Sequence, residues 1–201
     1  MIKIGMAGAH GTGKTSMANA MLEMKAFSKS VLVPSTARQI KEYGYPINRE
    51  ATELSQLLVP LLRMVDEYEN EEKASNEALI SDRTLVDSLA YTMYQNDHVW
   101  ESGALIEFVS RRLTEMHMAS YDYVLYFPIY WDGVQDGVRD PDENYRRAID
   151  ANVLSILELM NIKYLQVPNI SPERRAEWFL RVLQEDYQRV YDVYRQAFGL
   201  E

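Results

Sequence analysis

The sequence predicts an α/β protein in three layers, a five-stranded parallel sheet with helices on both faces. Three observations lead there. Five short apolar runs read as strands: Ile2 to Ala7, Val31 to Val33, Ala78 to Ile80, Tyr123 to Phe127 and Tyr164 to Val167. Helical periodicities fill the intervals, and strands that alternate with helices call for right-handed crossovers and parallel pairing. The first run is apolar apart from Lys3, as suits a strand buried on both faces, and it passes at once into a glycine-rich turn.

The helical intervals follow in order. From Thr15 the apolar residues Met17, Ala18, Met21 and Leu22 recur at spacings of three and four, which puts them on one face. Residues 50 to 74 form a long helical stretch that contains Pro60. A kink or break is expected there, because proline lacks the backbone donor and crowds the preceding turn. Leu85, Leu89, Ala90, Met93 and Tyr94 make an amphipathic stripe after the third strand. Leu105, Ile106, Phe108, Val109 and Leu113 make another before the fourth, and both stripes are expected to be core faces. Ser171, Pro172 and Glu173 start the last helical stretch: serine caps, proline suits the first turn and glutamate complements the helix dipole. It runs to about Phe198 as one helix or two, with Gly199 as its stop.

Composition narrows the class. The 201 residues, 47% hydrophobic, fit a single domain over 1–201 with one core. No run approaches the roughly 20 apolar residues of a membrane span, and the first residues read as a strand and loop rather than an export signal. The expectation is a soluble, cytoplasmic protein with no membrane partner; the assembly, monomer or homodimer, is left open. The absence of cysteine excludes disulfides and thiolate metal sites. A net charge of -9 disfavours nucleic acid as a partner, although a local arginine cluster could override it.

The turn after the first strand carries the chemistry. Gly8 to Thr15 satisfies Gly-x-x-x-x-Gly-Lys-Ser/Thr. Gly8, Gly11 and Gly13 permit positive φ and close backbone approach, so that successive N–H groups converge on phosphate oxygens at a helix N-terminus. Lys14 supplies a point charge and Thr15 a hydroxyl for Mg²⁺. The nucleotide-binding set is therefore Gly8, His10, Gly11, Thr12, Gly13, Lys14, Thr15 and Ser16, with His10 at a variable position of the pattern. A second centre lies at Ser81-Asp82-Arg83-Thr84, where the third strand ends. Open α/β sheets bind ligands at that edge. If this strand neighbours the first, Asp82 joins Thr15 as a metal partner and Arg83 reaches a phosphate or substrate. Alternatively, Asp82 caps the next helix and Arg83 makes a surface ion pair.

These two motifs, followed by Asp87-Ser88-Leu89-Ala90-Tyr91, resemble the nucleoside and nucleotide kinase branch of P-loop proteins, nearest to its nicotinamide-riboside-kinase-like and phage-encoded members. The resemblance implies the P-loop NTPase fold, strand order 2-3-1-4-5, and both substrates at the carboxyl edge. The chain departs from it in one respect. Deoxyribonucleoside kinases place a glutamate base after the second strand and have Glu-Arg-Ser where this chain has Asp82-Arg83-Thr84; here the second strand ends Val33-Pro34-Ser35-Thr36-Ala37-Arg38, without a carboxylate. Asp82 doubles as base, or the base lies elsewhere, or alignment suffices, since a loose transition state is helped mainly by positioning and charge. Arg38 faces the acceptor or the solvent.

Residues 128 to 147 form a candidate lid, with Trp131, Gly133, Gly137, Arg139, Arg146 and Arg147. In P-loop kinases the matching segment closes over the triphosphate and brings arginines to the transferring group, which makes Arg139, Arg146 and Arg147 candidates for charge stabilisation. Asp132, Asp136, Asp140, Asp142 and Glu143 give the segment an acidic balance, so a solvated loop with internal ion pairs fits as well. Tyr130 and Trp131 suit stacking on a base or ribose, or packing within the loop.

The expected function is a phosphotransferase that uses ATP and Mg²⁺ and moves the γ-phosphate to a hydroxyl of a nucleoside, nucleotide or related small molecule. The catalytic set is Lys14, Asp82, Arg83, Arg139 and Arg146, with Thr15 and Asp82 on the metal. One alternative acceptor is a modified base of the 5-hydroxymethyluracil type in phage DNA. Another alternative is a nucleotide-binding ATPase or switch module, for which no Asn-Lys-x-Asp guanine-reading sequence is present.

Overall fold

The computed structural model describes residues 1–74, 77–100, 103–132 and 142–198. Five strands, β1 (Ile2–Ala7), β2 (Val31–Val33), β3 (Ala78–Asp82), β4 (Tyr123–Tyr126) and β5 (Leu165–Gln166), form one sheet in the order β2-β3-β1-β4-β5. Every pairing is parallel. β1 and β3 pair with Met6 opposite Asp82, so the ends of the two motif-bearing strands lie side by side.

The helices are α1 (Lys14–Glu23), α2 (Thr36–Glu42), α3 (Glu53–Glu71), α4 (Leu85–His98), α5 (Ala104–Met118), α6 (Glu143–Leu159) and α7 (Pro172–Phe198). Alternation along β1 divides the core between two faces. Ile4 and Met6 pack with Met17 and Met21 of α1 and Phe179 of α7 on one side. Ala7 packs with Val86 and Leu89 of α4 and Ile149 and Val153 of α6 on the other. The three layers expected from the alternation of strands and helices are present.

One local expectation is narrowed and another is corrected. α3 runs through Pro60 as one helix, so of the expected kink or break the break does not occur. Pro60 has no N–H for the carbonyl four residues earlier, but a capping box at Thr52 and Ser55 secures the first turn, and burial of Gln56, Pro60, Arg63 and Glu67 holds the rest. The second stripe is not a core face: Leu105 is 69% exposed and Phe108 56%. The line that α5 buries is Ser110, Thr114 and Met118, because small and hydroxyl side chains allow close approach to α4. The Thr114 hydroxyl donates to the Leu85 carbonyl at 3.3 Å.

The last helical stretch is one continuous helix. Its start is capped as expected, with the Arg174 N–H donating to Ser171 Oγ at 3.4 Å; Gly199 lies outside the described residues. Lys3, the one charge in the first strand, is 3% exposed and pairs with Glu67 at 2.9 Å. No described helix is long and apolar enough to cross a membrane.

Candidate active site

The site is built at the carboxyl edge, between β1, β3 and their loops. Gly8 has φ 145° and Gly13 φ 91°. A Cβ on Gly8 would lie 2.6 Å from the Phe127 carbonyl oxygen, and one on Gly13 2.7 Å from an Arg175 nitrogen. Gly8 therefore excludes a side chain for reasons of space as well as conformation, whereas at Gly13 the left-handed φ is the stronger bar, because the Arg175 guanidinium lies at the end of a flexible side chain. α1 begins at Lys14 with no side-chain cap and no acidic residue in its first turn, so its N-terminal amides stay available to an anion.

Lys14 is folded back into the loop. Its Nζ donates to the carbonyls of Gly8 at 2.5 Å and Ala9 at 2.7 Å, and lies 4.0 Å from Asp87. Burial, and then the neighbouring Arg83, lower its pKa to about 7, against the pull of Asp87 and Asp82. Beside it the Thr15 hydroxyl donates to Asp82 Oδ2 at 2.6 Å. Two oxygens so placed suit Mg²⁺, which takes few protein ligands and completes its shell with phosphate and water.

Arg83 is the strained residue of the site. Its φ of 104° is unusual for a side chain with Cβ, and its N–H turns back to the Ser81 carbonyl at 3.0 Å. Such strain costs on the order of 1–3 kcal/mol and persists where the surroundings enforce it. Asp87 does so here. Its carboxylate accepts from the N–H groups of Gly8 and Thr84, the Thr84 hydroxyl and Arg83 NH1, at 2.9–3.3 Å. One buried carboxylate thus joins the nucleotide loop, the end of β3 and the start of α4. The bonds between Asp87 and Thr84 form a capping box, so the helix start that could have occupied Asp82 is served by Asp87.

Three arginines complete the frame, and two of them lie far from the motifs in sequence. Arg146 is 1% exposed and donates to the carbonyls of His10 at 2.9 Å, Gly11 at 3.4 Å and Trp131 at 2.8 Å. It grips the outer side of the loop and is not turned toward the cleft. Arg147, its neighbour, is exposed, as the 100° step between adjacent helical residues requires; Arg139 lies outside the described residues. Arg175, from the first turn of α7, donates to the Thr12 carbonyl at 3.1 Å and stacks on Trp131, 5.1 Å from its ring centroid. Arg63 joins the ends of β2 and β3 by donating to the Val33 and Asp82 carbonyls, both at 3.2 Å. The sequence gives no signal for Arg63 or Arg175, since each acts on a carbonyl that only the fold brings near.

A cleft of about 580 Å³ runs along this edge. The loop from His10 to Ser16 forms one wall; Pro34, Arg38, Asn48, Asp66, Asp82 and Arg83 belong to the other. Arg38 is exposed on that wall. A narrower recess of about 60 Å³ adjoins it behind Arg83, with Gln56, Ser88 and Tyr91 in its lining. The structure brings together Gly8, His10, Gly11, Thr12, Gly13, Lys14, Thr15, Ser16, Asp82 and Arg83.

Comparison with known proteins bears directly on this geometry. A family model described as an AAA domain matches residues 3–175. The chain belongs to that AAA-domain family. A search of curated protein sequences finds no match. Among solved structures, the chain is similar to a thymidylate kinase from Candida albicans, at 15% identity and TM-score 0.69 over 92% of both chains. It is similar to a deoxyadenosine kinase from M. mycoides, at 14% identity and TM-score 0.62, over 92% of this chain and 100% of that one. The NadR protein in complex with NR gives 13% identity and TM-score 0.70, with 87% of this chain aligned to about half, 49%, of the other. At these identities the likeness is one of fold, the P-loop nucleoside and nucleotide kinase fold.

Proposed function

We propose that this AAA-family protein is a cytoplasmic phosphotransferase that uses ATP and Mg²⁺ and phosphorylates a hydroxyl of a nucleoside, nucleotide or related small molecule. The observation that carries the reading is the two-walled cleft, with a phosphate loop on one side and Arg38, Asp82 and Arg83 on the other. A switch or simple ATPase needs the first wall only. The second wall leaves room for an acceptor beside the terminal phosphate.

In this reading the loop amides and Lys14 hold the β- and γ-phosphates, and Lys14 exchanges its carbonyl partners for phosphate oxygens. Thr15 and Asp82 would hold Mg²⁺, which supplies charge neutralisation at the transferring group. The acceptor hydroxyl attacks the γ-phosphorus in line, its new O–P bond forms as the bond to the ADP oxygen breaks, and its proton passes to Asp82 or to water. Arg83, held by Asp87, orients the acceptor or its phosphate. Arg146 and Arg175 position the loop from behind, and the exposed face of Trp131 is offered to the donor base. Arg139 remains a candidate for charge stabilisation from the lid.

The test is ADP release with Mg²⁺ across nucleosides, nucleotides and DNA that carries hydroxymethylated bases. An acceptor-dependent rise, abolished by Lys14→Ala with the fold intact, is expected with the small acceptors. Transfer only to polymer would reassign the acceptor to a DNA base, and hydrolysis indifferent to every acceptor would reject the kinase.

A further inference from the structure

Two adjacent helices carry the largest continuous share of the apolar surface that the core leaves bare, seven of the seventeen large apolar side chains exposed among the described residues. On α3, Leu54, Leu58, Leu61, Val65 and Tyr68 recur at spacings of four, three, four and three. That is the period of a helix-on-helix seam. The row lies opposite the buried Gln56, Pro60, Arg63 and Glu67, so it points away from the sheet. Leu54 is 52% exposed, Leu61 41%, Val65 49% and Tyr68 77%. α5 packs against α3 and adds Leu105, Phe108 and Met116, at 69%, 56% and 75%.

We infer that this face is the interface of a homodimer, with α3 of one copy laid on α5 of the other and the pairing repeated by the two-fold axis. Area supports a protein-sized partner. These exposures amount to the area of about four fully bare side chains, so at roughly 200 Å² each the face offers on the order of 800 Å². That is close to the roughly 800 Å² each partner contributes to a standard interface, and above the about 300–600 Å² of the largest patch on a typical monomer. Charge selects the arrangement. The charged residues of α3 that are not buried, Glu53, Asp66, Glu69 and Glu71, are all acidic, so α3 against α3 would set like charges face to face. α5 is the less repulsive neighbour for the acidic helix, because its Arg111 and Arg112 pair with its own Glu107 and Glu115, at 3.0 and 2.6 Å, and leave these four side chains with no net charge. An isologous pairing also covers both seams at once and leaves the cleft, on the carboxyl edge, open.

Sedimentation velocity on the whole chain tests this. The wild type should run at twice the 23.3 kDa chain mass at micromolar concentration. Leu61→Glu combined with Phe108→Glu should run as a monomer with an unchanged circular-dichroism spectrum. Tyr187→Glu, at an equally bare site on α7 (73% exposed), should stay dimeric. A monomeric wild type overturns the inference. So does a double variant that remains dimeric, or a Tyr187 variant that dissociates. The readout is mass, so its failure is separable from failure of the kinase reading.

Discussion

Lys14 occupies its own loop, bound to the Gly8 and Ala9 carbonyls, and burial with Arg83 nearby brings its pKa down to about 7. An arriving triphosphate favours the charged form, so binding above pH 7 should take up a proton. Calorimetry at pH 8 in buffers of different ionisation enthalpy should show uptake approaching one proton, with ATP affinity falling as pH rises from 7 to 9. Buffer-independent heats would contradict this. The sign for folding is the reverse: between pH 7 and 10.5 the unfolded chain holds the extra proton, so this group's contribution to stability grows as pH rises through that window. Arg83 offers a second residue-scale test. At φ 104° a glycine is unstrained, so Arg83→Gly should be more stable than Arg83→Ala by about 1 kcal/mol in denaturant titration. Both should lose acceptor-dependent turnover.

At the scale of elements, the sheet is tied to its helices by buried polar groups as well as by packing. Glu67 of α3 is fully buried and accepts from Ser81 at 2.6 Å, Tyr121 at 2.5 Å and His117 at 2.7 Å, beside Lys3 at 2.9 Å. Burial alone would raise its pKa; the hydrogen bonds from His117, Ser81 and Tyr121 and the charge of Lys3 outweigh it and hold the carboxyl at about 2. This contribution to stability is complete above the unfolded carboxyl value and is lost as pH falls toward 2. Glu67→Ala leaves buried Lys3 with only the partly exposed Glu71, at 3.0 Å, and orphans the Ser81 and Tyr121 hydroxyls, with an expected cost of about 3–5 kcal/mol by urea denaturation. Arg146 belongs to the same scale, because it fastens α6 to the nucleotide loop. Arg146→Gln should raise the KM for ATP and lower stability by about 1–3 kcal/mol; a variant that loses kcat alone would instead place this arginine at the transferring group.

For the whole molecule, the carboxyl edge is one surface on which the glycine-rich loop, the Thr15 and Asp82 oxygens and the wall with Arg38 and Arg83 are fixed by a common sheet. Binding of MgATP at about 100 times its Kd should add about 2.7 kcal/mol. In a chain of this size that is a rise of roughly 5–10 °C in Tm, and Lys14→Ala should erase it. A wild-type melt unmoved by millimolar MgATP would remove the nucleotide from the argument.

The chain's local order reveals the nucleotide loop, the succession of strands and helices, and the pair Asp82 and Arg83. Glycine placement and apolar period act over a few residues, and each leaves its mark in the letters themselves. The same logic misjudged α5, where Leu105 and Phe108 look like core but the close contact with α4 is made by Ser110 and Thr114. At Pro60 it allowed a break that α3 does not make, because burial along the helix outweighs a single lost hydrogen bond. Only the tertiary structure decided that Arg175 supports Thr12 from 163 residues away, that Arg146 faces the loop and not the cleft, and that Asp87 joins three elements. Such bonds form between groups brought together by parallel crossovers, and no periodicity along the chain encodes which carbonyl an arginine will meet.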